Sequence, residues 1–326
     1  MGHKWNHKIF GLNEGGFEET ALEIFRFQYE NNPLYRSYVD SLHINCITVK
    51  SIDQIPFLPV SLFKSHEIKT TQFEPDAIFE SSGTTGSSFS RHFVKKLSLY
   101  IESFTLGFQS FYGPPSDWCI LGLLPSYLER KSSSLVYMVD QLMKQSKHPA
   151  NGFYLDEYER LYNTLKQLEQ QKQKTLLFGV TFALLDFAEK YPMYLQNIII
   201  IETGGMKGRR EEMIREMLHS KLKKAFNISQ IHSEYGMTEL LSQAWSKKEG
   251  IFYTPSWMRV LVREEEDPFS VKKAGRGIIN IIDLANVYSC SFIATDDAGI
   301  INEDGGFEVL GRVDGSDIRG CSLMYV

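Results

Sequence analysis

The sequence predicts an α/β protein, with a doubly wound parallel core followed by a β-rich subdomain. Three observations lead there. Between residues 158 and 239, apolar runs of strand length alternate with segments of helical periodicity, the pattern of successive βαβ units. The run Asn197–Glu202 carries four consecutive isoleucines, and continuous branched aliphatics suit a strand covered on both faces. From Phe252 onward the apolar runs shorten and are broken by Gly, Asp and Asn, as in antiparallel structure with frequent turns.

The elements follow in order. Phe17, Ala21, Ile24, Phe25 and Tyr29 recur at helical spacing, and Pro33 closes that helix over 17–30. Residues 50–66 carry Pro56 and Pro59 and read as extended chain and turns. Phe79 leads into a loop of small residues. Trp118–Leu124 is a short buried strand stopped by Pro125, and Ser133–Lys147 a helix. Tyr158, Leu161, Tyr162, Leu165 and Leu168 mark the next helix, Thr175–Val180 a strand, and Phe182–Lys190 a helix. Asn197–Glu202 is a strand running into Thr203-Gly204-Gly205. Met213, Met217, Leu218 and Leu222 mark a further helix, and Ile228–His232 is the expected strand that feeds Ser233 to Glu239. Phe252–Val262, Gly277–Ile282, Ser289–Ala294 and Phe307–Leu310 are the expected strands of the β-rich part. Four regions result: 1–74, a helical and extended segment packing on the core; 75–250, the α/β core; 251–314, the β-rich subdomain; and 315–326, a hinge and short tail.

Composition excludes several classes. A net charge of −5 argues against a nucleic-acid binder that works by bulk electrostatics. The one basic segment, Lys207–Lys224, also carries Glu211, Glu212 and Glu216 and reads as a solvated helix face. Cys46, Cys119, Cys290 and Cys321 are too scattered for a CxxC motif and read as free thiols of a reducing cytosol. The first ten residues lead into no apolar stretch and lack the myristoylation pattern, and no run is long enough to span a bilayer. A cytoplasmic location without membrane span is expected.

Three segments carry chemistry. Ser81 to Ser88 are eight consecutive Ser, Thr or Gly residues. Small side chains let backbone N–H groups approach a phosphate, and hydroxyls add donors; a flexible linker is the competing reading. No Walker A or GxGxxG pattern is present. Tyr235-Gly236-Met237-Thr238-Glu239 follows an expected strand, where open α/β sheets place ligands. There an aromatic can stack on a purine, a Thr hydroxyl can donate to phosphate and a Glu can hold Mg²⁺; the alternative is a turn with a buried Tyr and a surface Glu. Thr295-Asp296-Asp297-Ala298-Gly299 and Gly311-Arg312-Val313-Asp314 offer a carboxylate for ribose hydroxyls and an Arg for phosphate; the alternative is a set of β-turns.

In this order the segments resemble the motifs of the adenylate-forming superfamily of acyl-CoA synthetases, luciferases and peptide-synthetase adenylation domains. The family's phosphate loop matches Ser82-Gly83-Thr84-Thr85-Gly86. Its adenine-stacking motif stands letter for letter at 235–239. Its Thr-Gly-Asp ribose motif is altered to Thr295-Asp296-Asp297, and its hinge matches Gly311 to Asp314 with Ile318 to Gly320. The resemblance covers about residues 75–320 and is closest to the LuxE-type acyl-protein synthetases, through Pro125 to Arg130, Glu202 to Lys207 and Glu239 to Gln243.

This likeness implies attack of a carboxylate, expected to be fatty, on the α-phosphate of ATP with pyrophosphate leaving. The acyl group then passes to a cysteine near the C-terminus, and from there to an acceptor protein or reductase. It implies that Ser82, Gly83, Thr84, Thr85 and Gly86 cradle phosphates, and that Gly204 and Gly205 let backbone approach adenine. Tyr235 stacks on the base beside Gly236, Thr238 meets the α-phosphate, Glu239 holds Mg²⁺, Asp297 binds ribose and Arg312 orients the nucleotide. The register to Gly299 favours Asp297 over Asp296. The chain ends six residues after Gly320, so the C-terminal lobe of most relatives, with its lysine, is expected to be missing. Cys321 is then the implied acyl carrier and Cys290 and Cys119 core residues. Acyl transfer to coenzyme A or a carrier protein, and a non-catalytic nucleotide-binding role, stay open. His92 reads as a surface residue that can assist an anion, His232 as a structural histidine, and Ser126 lies in no GxSxG context.

Overall fold

The computed structural model describes residues 3–12, 15–81, 89–124, 132–155, 157–204 and 213–313. The chain divides into two compact units that interleave in sequence. One holds 1–104, 236–243 and 253–313, the other 105–235, 244–252 and 314–326.

The second unit is the parallel core. Its sheet runs in the order Gly152–Phe153, Cys119–Leu123, Thr175–Val180, Ile198–Thr203, His232–Tyr235, Ala244–Ser246. All neighbours pair in parallel except the last two strands. Every residue of Cys119–Leu123 and Thr175–Val180 is buried, as the uninterrupted apolar runs require. Helices lie between successive strands: Ser134–Ser146, Tyr158–Gln170, Thr181–Lys190 and Arg215–Phe226. Ser133 caps the first of these by accepting from the Val136 N–H, and Lys147 closes it in the left-handed region. From Cys119–Leu123 the chain steps first to one neighbour, Gly152–Phe153, and then back to the other, Thr175–Val180. That reversal makes the carboxyl ends of the central strands the place for ligands.

One strand is displaced from its expected position. The sequence predicts it over Ile228–His232, but it spans His232–Tyr235. Tyr235 is therefore the last strand residue, not part of the loop that follows.

The first unit is built on a sheet ordered Leu58–Pro59, Phe292–Ile301, Gly275–Asp283, Met258–Arg263, Val271–Lys272, with Phe307–Arg312 also paired to Phe292–Ile301. The helices Phe17–Asn31 and Pro33–Ser41 bring Phe25 and Tyr35 against Phe292, with ring centroids 6.1 and 6.2 Å away. A separate hairpin, Ala77–Glu80 with Arg91–Val94, flanks the Ser/Thr/Gly run on both sides. Asp297 lies within the strand Phe292–Ile301 and Arg312 at the end of Phe307–Arg312, so these segments are ladder residues and not turns. Among the described residues no helix is long and apolar enough to cross a membrane.

Candidate active site

In the parallel unit, the carboxyl ends of two neighbouring strands carry a buried polar cluster. Glu202 and Thr203 end one strand, and Ser233 and Glu234 face them in register. Thr203 donates a short hydrogen bond to Glu234. Arg215 and His219, from the following helix, approach Glu202 Oε1 at 3.4 and 3.7 Å. Burial alone pushes Glu202 upward, but His219 and the Arg215 charge outweigh it and hold the carboxyl below the ordinary range. Among the described residues, Glu234 has no such cationic partners. Burial pushes it up to about 7, against the Thr203 hydrogen bond and with help from the Glu202 charge.

This difference predicts a pH effect on stability. Folded Glu234 keeps its proton up to about pH 7, whereas unfolded it loses it near its ordinary 4.5. Stability therefore declines as pH rises between those values, by as much as about 3 kcal/mol. Glu234→Gln keeps an acceptor for Thr203 and removes the titration. Its thermal midpoint should exceed that of the unmodified protein at pH 8 but not at pH 5; equal midpoints at pH 8 rule the effect out.

The same edge presents two of the expected residues. Gly204 adopts φ +63°, a left-handed turn open to glycine, and its carbonyl accepts from the Thr181 hydroxyl at 2.6 Å. Tyr235 packs its ring on Phe252 at 5.9 Å, and the Arg215 guanidinium covers the same Phe252 ring at 5.1 Å. His232, half-buried, meets the Tyr112 hydroxyl through Nδ1 at 3.1 Å, and burial pushes it down to about 4. It is a satisfied structural histidine.

Gly236 to Gln243 belong to the other unit, and there the backbone after Tyr235 is tied down residue by residue. His92 Nδ1 lies 2.8 Å from the Thr238 carbonyl. Asn286 donates to the Glu239 carbonyl at 2.7 Å. Asp283 accepts from the Leu241 and Ser242 N–H groups at 2.8 and 3.0 Å and from the Ser242 hydroxyl at 2.6 Å. Asp283 and Asn286 bracket the single helical turn Leu284–Asn286 between two core strands. Thr238 is left half-buried and Glu239 buried. His92 is only 1% exposed, which corrects its reading as a surface residue: both ring nitrogens are engaged inside the protein.

The residues expected at the ribose and the hinge, Asp297 and Arg312, come together in the same unit. Asp297 and Arg312 are register partners on adjacent strands, with Nε 3.4 Å from Oδ1. Thr295 accepts from the Asp297 N–H and donates to the Ile279 carbonyl. Gly299 has no room for a side chain, since a Cβ there would lie 2.6 Å from the Glu308 carbonyl. Successive strand residues face opposite ways, so Asp296 points away from Asp297. The Asp296 charge acts on Arg263, a guanidinium whose pKa burial lowers and Asp296 raises; Arg263 also donates to the Thr295 carbonyl at 2.7 Å.

Ser82, Gly83, Thr84, Thr85, Gly86, Gly205 and Cys321 lie outside the described residues. Sequence reasoning missed Asp283, Asn286 and Thr181, misplaced His92 at the surface and gave Glu202 no role of its own. Only the polar pair bracketing Leu284 and Ala285, between two apolar runs, offered a signal.

A doubly wound parallel sheet in one unit and a mostly antiparallel sheet in the other make the fold of the adenylate-forming ligases. A 2-hydroxyisobutyryl-CoA ligase, solved in an open conformation with 2-HIB-AMP and CoA, matches with TM-score 0.65 at 10% identity, over 95% of this chain and 77% of that one. ATP-bound MatB from Rhodopseudomonas palustris matches with TM-score 0.53 at 17% identity, over 74% of this chain and 50% of its own. Two long-chain-fatty-acid–luciferin-component ligases are similar in sequence. That of Aliivibrio fischeri is 23% identical, over 94% of this chain and 86% of its own length; that of Vibrio harveyi is 22% identical, over 92% and 84%. The family model of the acyl-protein synthetase LuxE matches residues 13–325. The chain belongs to the LuxE acyl-protein synthetase family. It is an AMP-forming ligase that uses ATP to activate an acid.

Proposed function

We propose that this enzyme activates a fatty acid as its acyl-adenylate and then carries the acyl group as a thioester on Cys321 for delivery to an acceptor protein. The carboxylate oxygen attacks the α-phosphorus of ATP, the bond to the β-phosphate oxygen breaks, and pyrophosphate leaves with the electron pair. A cysteine thiolate next attacks the acyl carbonyl and AMP departs. The observation that carries this reading is the intact Tyr235 to Glu239 motif at the carboxyl end of a parallel strand, with the backbone from Thr238 to Ser242 fixed by His92, Asn286 and Asp283.

Each residue has a role on that reading. Tyr235 stacks on adenine, with Gly204 and Gly205 allowing close approach. Ser82 to Gly86 cradle the phosphates, Thr238 donates to the α-phosphate, Asp297 takes the ribose hydroxyls and Arg312 orients them. The donor set suits Mg²⁺ shared with the triphosphate. Among the described residues no cluster of three His, Cys, Asp or Glu side chains could cage a metal, and Mg²⁺ ordinarily binds through one or two carboxylates with phosphates and water. Glu239 supplies the carboxylate, and the ion would neutralise charge developing on the leaving pyrophosphate.

The Asp297 assignment has a direct test. Asp297→Asn should weaken ATP binding about tenfold or more, the worth of a charge-assisted hydrogen bond. Asp296→Asn should leave it nearly unchanged, because the Asp296 charge is directed at Arg263. Titration calorimetry gives the ranking, and the opposite order shows the ribose site one residue earlier.

A further inference from the structure

Two consecutive carbonyls of the motif are held by residues that the proposed chemistry does not use. His92 reaches the Thr238 oxygen at 2.8 Å and Asn286 the Glu239 oxygen at 2.7 Å. The two holders also face each other, with His92 Nε2 2.9 Å from Asn286 Oδ1. Both are buried, and the Phe63 ring stands edge-on to the imidazole at 6.1 Å. Because a peptide is planar, fixing two successive carbonyls fixes the two peptide planes on either side of Glu239. That in turn sets the direction in which the Glu239 side chain leaves the backbone.

The hydrogen-bond inventory makes the arrangement more specific. Asn286 spends both amide protons, on the Glu239 carbonyl and on the Cys290 carbonyl at 2.8 Å. Its oxygen is therefore the atom that meets His92 Nε2, and both imidazole nitrogens face acceptors. A neutral ring has one proton for two acceptors. Burial pushes His92 down to about 4, against the two hydrogen bonds that raise it, so the ring is neutral at neutral pH. A proton on Nδ1 makes the ring a donor to the Thr238 carbonyl, whereas a proton on Nε2 leaves that carbonyl without a donor from His92.

We propose that His92 is a positioning residue for adenylation: as the Nδ1–H tautomer it holds the Thr238 carbonyl, while Asn286 holds that of Glu239, and together they aim the Glu239 carboxylate. The inference rests on the assignment of Thr238 and Glu239 to the nucleotide. It adds a requirement for a donor at the Nδ1 position.

Asn and Gln at position 92 separate the two ring nitrogens, since an Asn amide sits near Nδ1 and a Gln amide near Nε2. His92→Asn should keep acid-dependent pyrophosphate exchange within about threefold of the unmodified enzyme, and His92→Gln and His92→Phe should lower its kcat about tenfold or more with KM for ATP little changed. Thermal midpoints of the three variants report whether each is folded. Exchange in folded His92→Gln equal to or above that of His92→Asn overturns the proposal, as does full exchange in folded His92→Phe. Nitrogen-15 spectra of the unmodified enzyme test it without any variant: the Nδ1–H tautomer is expected for His92, and the Nε2–H tautomer contradicts it. If Glu239→Gln leaves exchange untouched, the assignment of Glu239 to the metal fails, and with it the part of the proposed function on which this inference rests. If Glu239→Gln is inactive while folded His92→Phe is fully active, only the role of His92 falls.

Discussion

Cys321→Ser is expected to abolish labelling of the protein by radioactive fatty acid plus ATP, scored as label released by hydroxylamine, and to leave pyrophosphate exchange at the unmodified rate. The separation follows from the order of steps, because adenylation is complete before a thiol is needed. A thioester carrier must be able to form a thiolate. Burial pushes the Cys119 and Cys290 thiols up to about 12, and each is fully enclosed, Cys119 within the buried strand Cys119–Leu123. Neither can attack an acyl-adenylate at neutral pH. That leaves Cys46, half-buried in the turns after Pro33–Ser41, and Cys321. A carrier tethered to its own active site replaces a diffusive encounter by an intramolecular one, which favours the cysteine that follows the Gly311 to Gly320 motif. Persistent label in the Ser variant moves the carrier to another residue. If the unmodified protein never labels with any acid, the acyl group goes to coenzyme A or a carrier protein instead.

Glu239→Gln is expected to lower exchange on the order of 100- to 1,000-fold, the several kcal/mol that a metal contributes to charge stabilisation in a phosphoryl transition state. Glu239 is buried, at 2% exposure, and its carbonyl is pinned by Asn286. Gln preserves its volume, so fold and backbone position should survive. The loss should appear in kcat, and raising Mg²⁺ should recover part of it. A folded Gln variant with unchanged kcat removes Glu239 from the metal site and leaves the stacking role of Tyr235 standing.

Much of the parallel unit was legible in the sequence, because a strand buried on both faces must be a continuous apolar run. Thr175–Val180 and Ile198–Thr203 carry that signature in full. The strand His232–Tyr235 does not. Its residues are polar, and their burial is made tolerable by Thr203 and His219 reaching across from neighbouring elements. No periodicity within four residues can report such partners, so the apolar Ile228 and Ile231 drew the expected strand four residues too early. The Tyr235 to Glu239 motif was readable as letters, but not as a segment whose two halves fall in different compact units. His92 was misread for a related reason. Arg91, Lys95 and Lys96 make its neighbourhood look solvated, whereas its partners lie 146 and 194 residues away along the chain. Asp296 and Asp297 are the intermediate case. The spacing to Gly299 favoured the second, and strand alternation turns the two to opposite faces, the first toward Arg263.

The most direct test of the account is acid-dependent exchange of radioactive pyrophosphate into ATP by the purified protein, measured over a series of straight-chain acids with Mg²⁺ present. The account predicts exchange that requires an acid, is greatest with a fatty acid, and vanishes without metal. ATP binding with no exchange for any acid in the series would contradict it, and would make the protein a nucleotide-binding partner of another acyl-transfer enzyme.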